Sequence, residues 1–232
     1  MVCLGRWVVV GAVLLIVVID GAVYQQRLRA AKIESLFRAI EADRPADVSD
    51  LLHRGLRPTT RNEDGVPAIG MAALQEDSTL VTLLLRSGAP ADERDMDGAT
   101  SLMRASAWNR LETVRTLLAS GADVNATANC GWTSLHHAAN HNNGEIIRLL
   151  IEAGANVHAR RADGVSPLHL ALSQGYAEAA RELLHGGAAV EREDRRTVAT
   201  LLGTRSTHPH DAAMGQKDQP GLTLQGGPVM TD

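Results

Sequence analysis

A pattern of two short amphipathic helices separated by turns recurs along the chain, and its clearest copy covers residues 131–155. The first helix carries small apolar side chains at i, i+3, i+4 spacing, namely Leu135, Ala138 and Ala139. The second helix has a broader apolar face, formed by Ile146, Ile147, Leu149, Leu150 and Ile151. Thr133 and Ser134 are typical N-cap residues, and Gly154 is a typical helix stop because glycine adopts positive φ at little cost. Two such helices cannot bury both faces against each other, so the unit needs neighbours of the same kind.

Copies of this unit follow one another at a constant period of 33 residues. The turn glycines are Gly65, Gly98, Gly131 and Gly164, and the helix-terminating glycines are Gly55, Gly88, Gly121, Gly154 and Gly187. An unbroken period of this length predicts a solenoid, in which each repeat buries its apolar face on the repeats beside it. The pattern also predicts that Gly121 and Gly154 lie at helix C-termini with positive φ.

The segment from Asp163 to Ala171 and the Gly-Ala-Asp-Val-Asn of residues 121–125 resemble the ankyrin repeat. The resemblance covers about residues 32–203 and implies an all-α solenoid of stacked helix-turn-helix units, joined by β-turn or hairpin fingers. It places His136 and His169 at the histidine position of the motif, where the imidazole bonds to the backbone of the adjoining turn. For function, the resemblance implies a binding scaffold.

The period and the composition together divide the chain into five parts. These are an N-terminal tail (1–6), a hydrophobic segment (7–24), a linker (25–31), the repeat domain (32–203) and a C-terminal tail (204–232). Within the repeat domain we expect an N-terminal cap (32–61), four repeats (62–94, 95–127, 128–160 and 161–193) and a C-terminal cap (194–203). The C-terminal tail is rich in Thr, Ser, Pro, Gly and Gln and is expected to be disordered, because it cannot bury a core.

The hydrophobic segment has two possible interpretations, a membrane anchor and a signal-peptide core. Cleavage after Ala22 would leave Asp20 at the −3 position, and cleavage after Gly21 would leave Ile19 there, so no good cleavage site exists. We therefore expect an uncleaved, single-pass anchor. The basic residues that follow the segment favour cytoplasmic repeats, whereas the short tail with Arg6 resembles an export signal-anchor, so the side of the membrane stays open.

Charge and motifs exclude several classes of function. A net charge of −4 and a pI near 6.1 argue against a nucleic-acid surface. The sequence has no Gly-rich phosphate loop, nucleophile elbow or His-Glu-x-x-His motif, so we expect no enzyme activity and no cofactor. His136, His137 and His141 suggest a metal site, but no further ligand recurs at suitable spacing, and we expect none.

Turn tips and the exposed side of each first helix form the concave binding face in the ankyrin family. Trp108 and Trp132 occupy such positions in adjacent repeats, and tryptophan and arginine are the favoured anchors of protein interfaces. We expect both indoles to be solvent-exposed beside Arg94; the alternative is that each packs over its neighbouring turn. The expected partner-binding residues are Trp108, Trp132, Arg94, Met96, His141, Asn129 and Arg160.

The sequence thus predicts a monomeric, membrane-tethered scaffold that binds a protein partner through the concave ankyrin face. In one alternative, the signal peptide is cleaved and the repeat domain is exported as a soluble binding or protective factor. A second alternative, a hydrolase or metal-dependent enzyme, has no residues to support it.

Overall fold

The computed structural model describes residues 23–203. The N-terminal tail, all but two residues of the hydrophobic segment 7–24, and the C-terminal tail 204–232 lie outside these described residues. The expectations of an uncleaved anchor, of a cleaved signal peptide and of a disordered C-terminal tail therefore concern parts of the chain that the structure does not describe.

The described chain is a succession of helices. Helix α1 covers residues 23–41, and the others follow in chain order: α2 (Pro45–His53), α3 (Ala68–Ala72), α4 (Thr79–Arg86), α5 (Ser101–Ala107), α6 (Leu111–Ala119), α7 (Ser134–Asn140), α8 (Gly144–Glu152), α9 (Pro167–Ser173), α10 (Ala177–His185) and α11 (Arg195–Leu202). A single 3-10 turn covers Asn129–Gly131. Between residues 23 and 203 the only extended pairing is two isolated bridges, Arg61 with Pro67 and Arg94 with Thr100. The all-α prediction is confirmed.

The helices form two stacked layers. An inner layer consists of α3, α5, α7 and α9, each packed on the next, and an outer layer consists of α4, α6, α8 and α10. Between the layers runs one continuous core, whose largest fully buried side chains include Ile69, Leu102, Leu135, Ile147 and Leu150. Each repeat therefore completes the core of its neighbours, which is the arrangement that the 33-residue period predicts.

Local capping explains where the inner helices begin. The hydroxyls of Thr100, Thr133 and Ser166 each accept a hydrogen bond from the backbone N–H three residues later. In the second repeat Pro67 stands at this position and supplies no side-chain cap, and α3 has only five residues. The degenerate sequence of this repeat thus corresponds to a shortened inner helix.

Both ends of the solenoid are closed by helices. Residues 25–31, which we expected to form a linker, belong to α1 and continue without a break into the first repeat. At the other end α11 packs against α9 and α10, with Val198 and Leu201 partly buried against the core. This helix covers the apolar face that repeat 161–193 would otherwise expose.

The expected single-pass membrane localisation is contradicted. Among residues 23–203, no helix is both long enough and apolar enough to cross a membrane.

The helix-terminating glycines adopt the predicted conformation. Gly121 has φ 84° and Gly154 has φ 89°, each just after an outer helix. A Cβ atom added at Gly154 would meet nothing within 4 Å, so any cost of substitution comes from the backbone and not from a clash.

We expect Gly154→Val to lower the free energy of unfolding by about 1–3 kcal/mol, because a β-branched residue is strained at positive φ. Ala153→Val is the matched control, since Ala153 is also exposed and has φ −79°. Urea unfolding of both variants tests this. An equal loss in the two would show that the left-handed conformation is not the cause.

Candidate functional site

The turns between repeats project as fingers beside the inner helices. We call the surface formed by the finger tips and the exposed sides of α3, α5, α7 and α9 the inner face. All seven residues expected to bind a partner lie on this surface or at its edge, but the structure divides them into groups with different surroundings.

Two of the expected partner-binding arginines hold neighbouring turns together. Nη1 of Arg94 donates to the carbonyl of Gly98, 2.9 Å away in its own turn, and to the carbonyl of Thr127 in the next turn. Arg61 repeats this arrangement one period earlier, with bonds to the carbonyls of Gly65 and Arg94. Arg160 donates to the carbonyl of Gly164 at 2.8 Å and pairs with Glu191 at 2.7 Å. We call these three arginines the turn clasps.

A different contact joins the fingers where the clasp is missing. Thr127 stands at the clasp position between the third and fourth repeats and is too short to reach the next turn. There the guanidinium of Arg161 lies over the indole of Trp132, 4.4 Å from the ring centroid. The backbone N–H of Ala162 also donates to the carbonyl of Cys130 at 2.9 Å. Trp132 thus packs over the neighbouring turn.

Two histidines complete this stack. The ring of His137 lies 4.7 Å from the Trp132 ring, tilted by 33°, and the ring of His136 meets the indole edge at 6.1 Å. Trp132 is therefore partly buried, and the expectation that it would be solvent-exposed is wrong. Arg161 and His137 were not among the partner-binding residues expected from the sequence. The feature that could have pointed to Arg161 is that it stands where the earlier turns have Asn62 and Asp95.

Burial decides the charge state of these histidines. It lowers the pKa of His137 to about 4, and repulsion from His141, His136 and Arg104 acts in the same direction. The pKa of His136 is also lowered, chiefly by burial. The hydrogen bond between its Nε2 and the Val165 carbonyl acts in the opposite direction but does not outweigh burial. Both imidazoles are neutral at pH 7, so the stack presents an uncharged aromatic surface.

The histidine position of the motif behaves differently in two repeats. His136 contacts the carbonyl of Val165 in the adjoining turn at 3.2 Å, as the resemblance implies. His169 does not repeat this contact, because α11 and not a regular finger follows its repeat. Its Nδ1 instead lies 2.9 Å from the carboxylate of Asp194, the residue just before α11.

The most exposed apolar side chains lie in repeat 95–127. Met96, in the finger, is 76% exposed, and Trp108, at the C-terminal end of α5, is 62% exposed. Between them the carboxylate of Asp95 accepts a hydrogen bond from Arg104, one helical turn before Trp108, at 2.5 Å. The second Asp95 oxygen accepts from the backbone N–H groups of Asp97 and Ala99. A buried carboxylate therefore ties the finger to the inner helix.

The remaining expected residues flank this pair. His141 is exposed at the end of α7, at the position one repeat after Trp108. Asn129 is exposed at the next finger tip, where its backbone N–H donates to the carbonyl of Asp97 at 2.9 Å. Arg104 was not among the expected residues, although it lies one period before His137.

The inner face carries groups of the kinds that take part in protein recognition. Among residues 23–203, no three His, Cys, Asp or Glu side chains come together in a way that could hold a metal ion. The surface combines two exposed apolar side chains, one ion pair and neutral aromatic rings, which is a composition suited to contact with another protein.

Comparison with known families identifies the repeat type. The family model described as ankyrin repeats (3 copies) matches residues 36–128 and 122–194. Together the two matches span more than half of the chain. The comparison with curated proteins finds no match.

Trp132→Ala should destabilise the protein, because it removes the contacts with His137 and Arg161. We expect a loss of about 1–3 kcal/mol in the free energy of unfolding. Trp108→Ala is the matched control, and we expect it to stay within about 0.5 kcal/mol of the original protein, as exposed substitutions usually do. Equal stability of the two variants would contradict a structural role for the Trp132 stack.

Stability should also fall in mild acid because of His137. The unfolded chain binds a proton near pH 6.5, whereas the folded chain resists it until about pH 4. Stability is therefore complete above pH 6.5 and decreases towards pH 4, by roughly 1–3 kcal/mol. His137→Gln should flatten this dependence, with a residual slope from His136, whereas the exposed His158→Gln should not change it. Unfolding curves at several pH values measure the slope, and an unchanged slope in His137→Gln would contradict the linkage.

Proposed function

Because the chain belongs to the ankyrin-repeat family, we propose that it is a non-enzymatic scaffold that binds one protein partner through its inner face. Ankyrin repeats are generally protein-interaction modules without chemistry of their own. The partner contact would be centred on repeat 95–127, and the chain would act as a monomer.

One observation carries this proposal. Within the described part of the repeat domain, residues 32–203, the exposed large hydrophobic side chains are Met96 and Trp108, and both belong to the same repeat. Leaving a tryptophan and a methionine in water gains nothing for folding, while both residue types are enriched in the buried centres of interfaces. Their common position on the inner face supports placing the centre of the proposed interface there.

The surroundings of these two residues favour binding. The Asp95 carboxylate is 3% exposed and pairs with Arg104, so finger and helix are fixed relative to each other before any partner arrives. A pre-organised surface loses little conformational entropy on association. Met96 also lies against the Gly65 turn, since a Cβ added at Gly65 would approach the Met96 Cγ to 2.6 Å.

The other expected residues take supporting positions in this proposal. His141 and Asn129 extend the surface towards the fourth repeat as polar groups. Arg94, Arg160 and Trp132 act mainly on the shape of the fingers, because each is already engaged with a neighbouring turn. We expect these three to affect binding through the position of the finger tips.

Trp108→Ala should abolish capture of the partner while leaving the melting temperature nearly unchanged. A buried aromatic anchor commonly contributes about 2 kcal/mol or more to binding. The partner is first identified by placing a photo-crosslinking amino acid at the exposed position 141 of the full chain, which leaves Trp108 in place, and its affinity is then measured with both purified proteins. Crosslinking from Arg148, an exposed position on the outer helix α8, provides the background.

Arg148→Ala is the matched control for affinity and should bind as the original protein does. Proteins that crosslink equally from positions 141 and 148 are not specific partners. Full affinity of the Trp108→Ala variant for the protein captured at position 141 would contradict the proposed centre of the interface.

A further inference from the structure

The N-terminal end of the solenoid carries a basic groove that the inner face does not include. It lies between α1 and the loop that follows α2, and its volume is about 580 Å³. Five cationic side chains line it and no acidic residue does: Arg29, Lys32, Arg54, Arg57 and Arg61. Its apolar lining comes from Leu28, Ile33 and Leu56. This concentration of positive charge stands out in a chain whose net charge is −4.

Three of these cations have no anionic partner in the described structure. Arg54 pairs with Asp50 at 2.9 Å, and the clasp Arg61 pairs with Glu93 at 3.0 Å. Arg29, Lys32 and Arg57 are exposed and make no ion pair with any residue between 23 and 203. The groove therefore retains a positive field that an anionic ligand can neutralise.

The groove exists because the first repeat has no preceding finger. Inside the solenoid each loop after an outer helix is covered by the equivalent loop one period earlier. The residues one period before the loop 56–61 are 23–28, and these belong to α1 instead of forming a loop. A straight helix at this place leaves the loop 56–61 uncovered on its outer side.

The interior loops show which ligand chemistry suits the uncovered position. The backbone N–H of Asp123 donates to the carboxylate of Asp92 in the preceding loop at 2.9 Å. One repeat later, the N–H of Asn156 donates to the side-chain oxygen of Asn125 at 2.8 Å. The equivalent N–H of the first loop belongs to Arg57 and makes no hydrogen bond to any residue between 23 and 203. A side-chain carboxylate from outside would occupy the place that Asp92 takes for Asp123.

We propose that this N-terminal groove binds an acidic peptide segment of a protein partner, with apolar side chains interspersed among its carboxylates. The carboxylates pair with Arg29, Lys32 and Arg57, and one of them accepts the Arg57 N–H, while the apolar side chains pack on Leu28, Ile33 and Leu56. The chain's own N-terminal residues do not fit, because Asp20 is the only carboxylate side chain among residues 1–22. A peptide also fits better than a flat anionic surface, since the charges line a concavity. This surface is separate from the inner face, so each can fail independently of the other.

The test uses the full chain and a fluorescein-labelled synthetic peptide built from Glu-Leu-Glu-Ser repeats. Fluorescence anisotropy measures its Kd for the original protein and for the triple variant Arg29→Gln, Lys32→Gln, Arg57→Gln. The matched control is Arg86→Gln, Arg148→Gln, Arg181→Gln, which makes the same change of net charge at exposed positions on outer helices. Melting temperatures of all three proteins exclude effects of unfolding.

We expect the groove variant to bind the peptide about tenfold more weakly, since each exposed ion pair contributes a factor of about two to three. The control variant should bind within about twofold of the original protein. Affinity for the peptide should also fall as salt is raised, and a Gln-Leu-Gln-Ser peptide should bind much more weakly. The Trp108→Ala variant should bind the acidic peptide normally, which separates this surface from the inner face.

Three results would overturn the proposal. The first is an equal loss in the groove and control variants, which would indicate non-specific attraction. The second is equal binding of the Gln and Glu peptides, or no binding of either. The third is groove-dependent binding of vesicles that contain phosphatidylserine without binding of the peptide, which would make a lipid surface the ligand.

Discussion

Each repeat of this protein can bury its apolar face only on the repeats beside it, and the rest of the structure depends on this constraint. An inner helix as short as α3, with five residues, would not be stable alone. It persists because Ile69 and its neighbours are fully buried between adjacent units. The same constraint requires a cover at each end: α1 and α2 provide it at the N-terminal end, and the single helix α11 provides it at the C-terminal end.

Stacking of the helices fixes the spacing of the fingers, but side chains fix their relative position. The turn clasps Arg61, Arg94 and Arg160 do this at three of the four equivalent positions. The fourth position is Thr127, and there the contact between Trp132 and Arg161 joins the fingers. Substituting one kind of contact for another changes what the surface offers. A clasp joins neighbouring turns through a polar side chain, whereas the stack places the Trp132 ring between two fingers and leaves it only partly exposed. Repeat 95–127 therefore carries the freely exposed indole, although repeat 128–160 also contains a tryptophan.

The sequence alone was sufficient to predict the features that depend on the conformation of single residues or on the 33-residue repeat period. Positive φ at Gly121 and Gly154, the cap at Thr133 and the histidine contact of His136 follow from residue type and motif, and the structure has them all. The surroundings of Trp132 and Arg94 could not be predicted in this way. They depend on groups about one period away in the chain, and the choice between an exposed indole and a stacked one rests on Arg161. The His169 contact differed because α11 replaces a regular finger, and the single-pass localisation was wrong.

A finite solenoid has two kinds of surface with different origins. Positions along the inner face are repeated in every unit, so the proposed binding centre lies where one unit departs from its neighbours, as repeat 95–127 does with its exposed Met96 and Trp108. An end surface arises from a missing neighbour: the N–H position that is paired at Asp123 and at Asn156 has no hydrogen-bond partner among residues 23–203 at Arg57. The basic side chains around that N–H favour an anionic ligand, and in the proposed complex a ligand carboxylate takes the role that Asp92 has towards Asp123. If both proposed surfaces bind, one chain would hold two partner segments at separate places on the same stack of repeats, which is how a scaffold brings partners together.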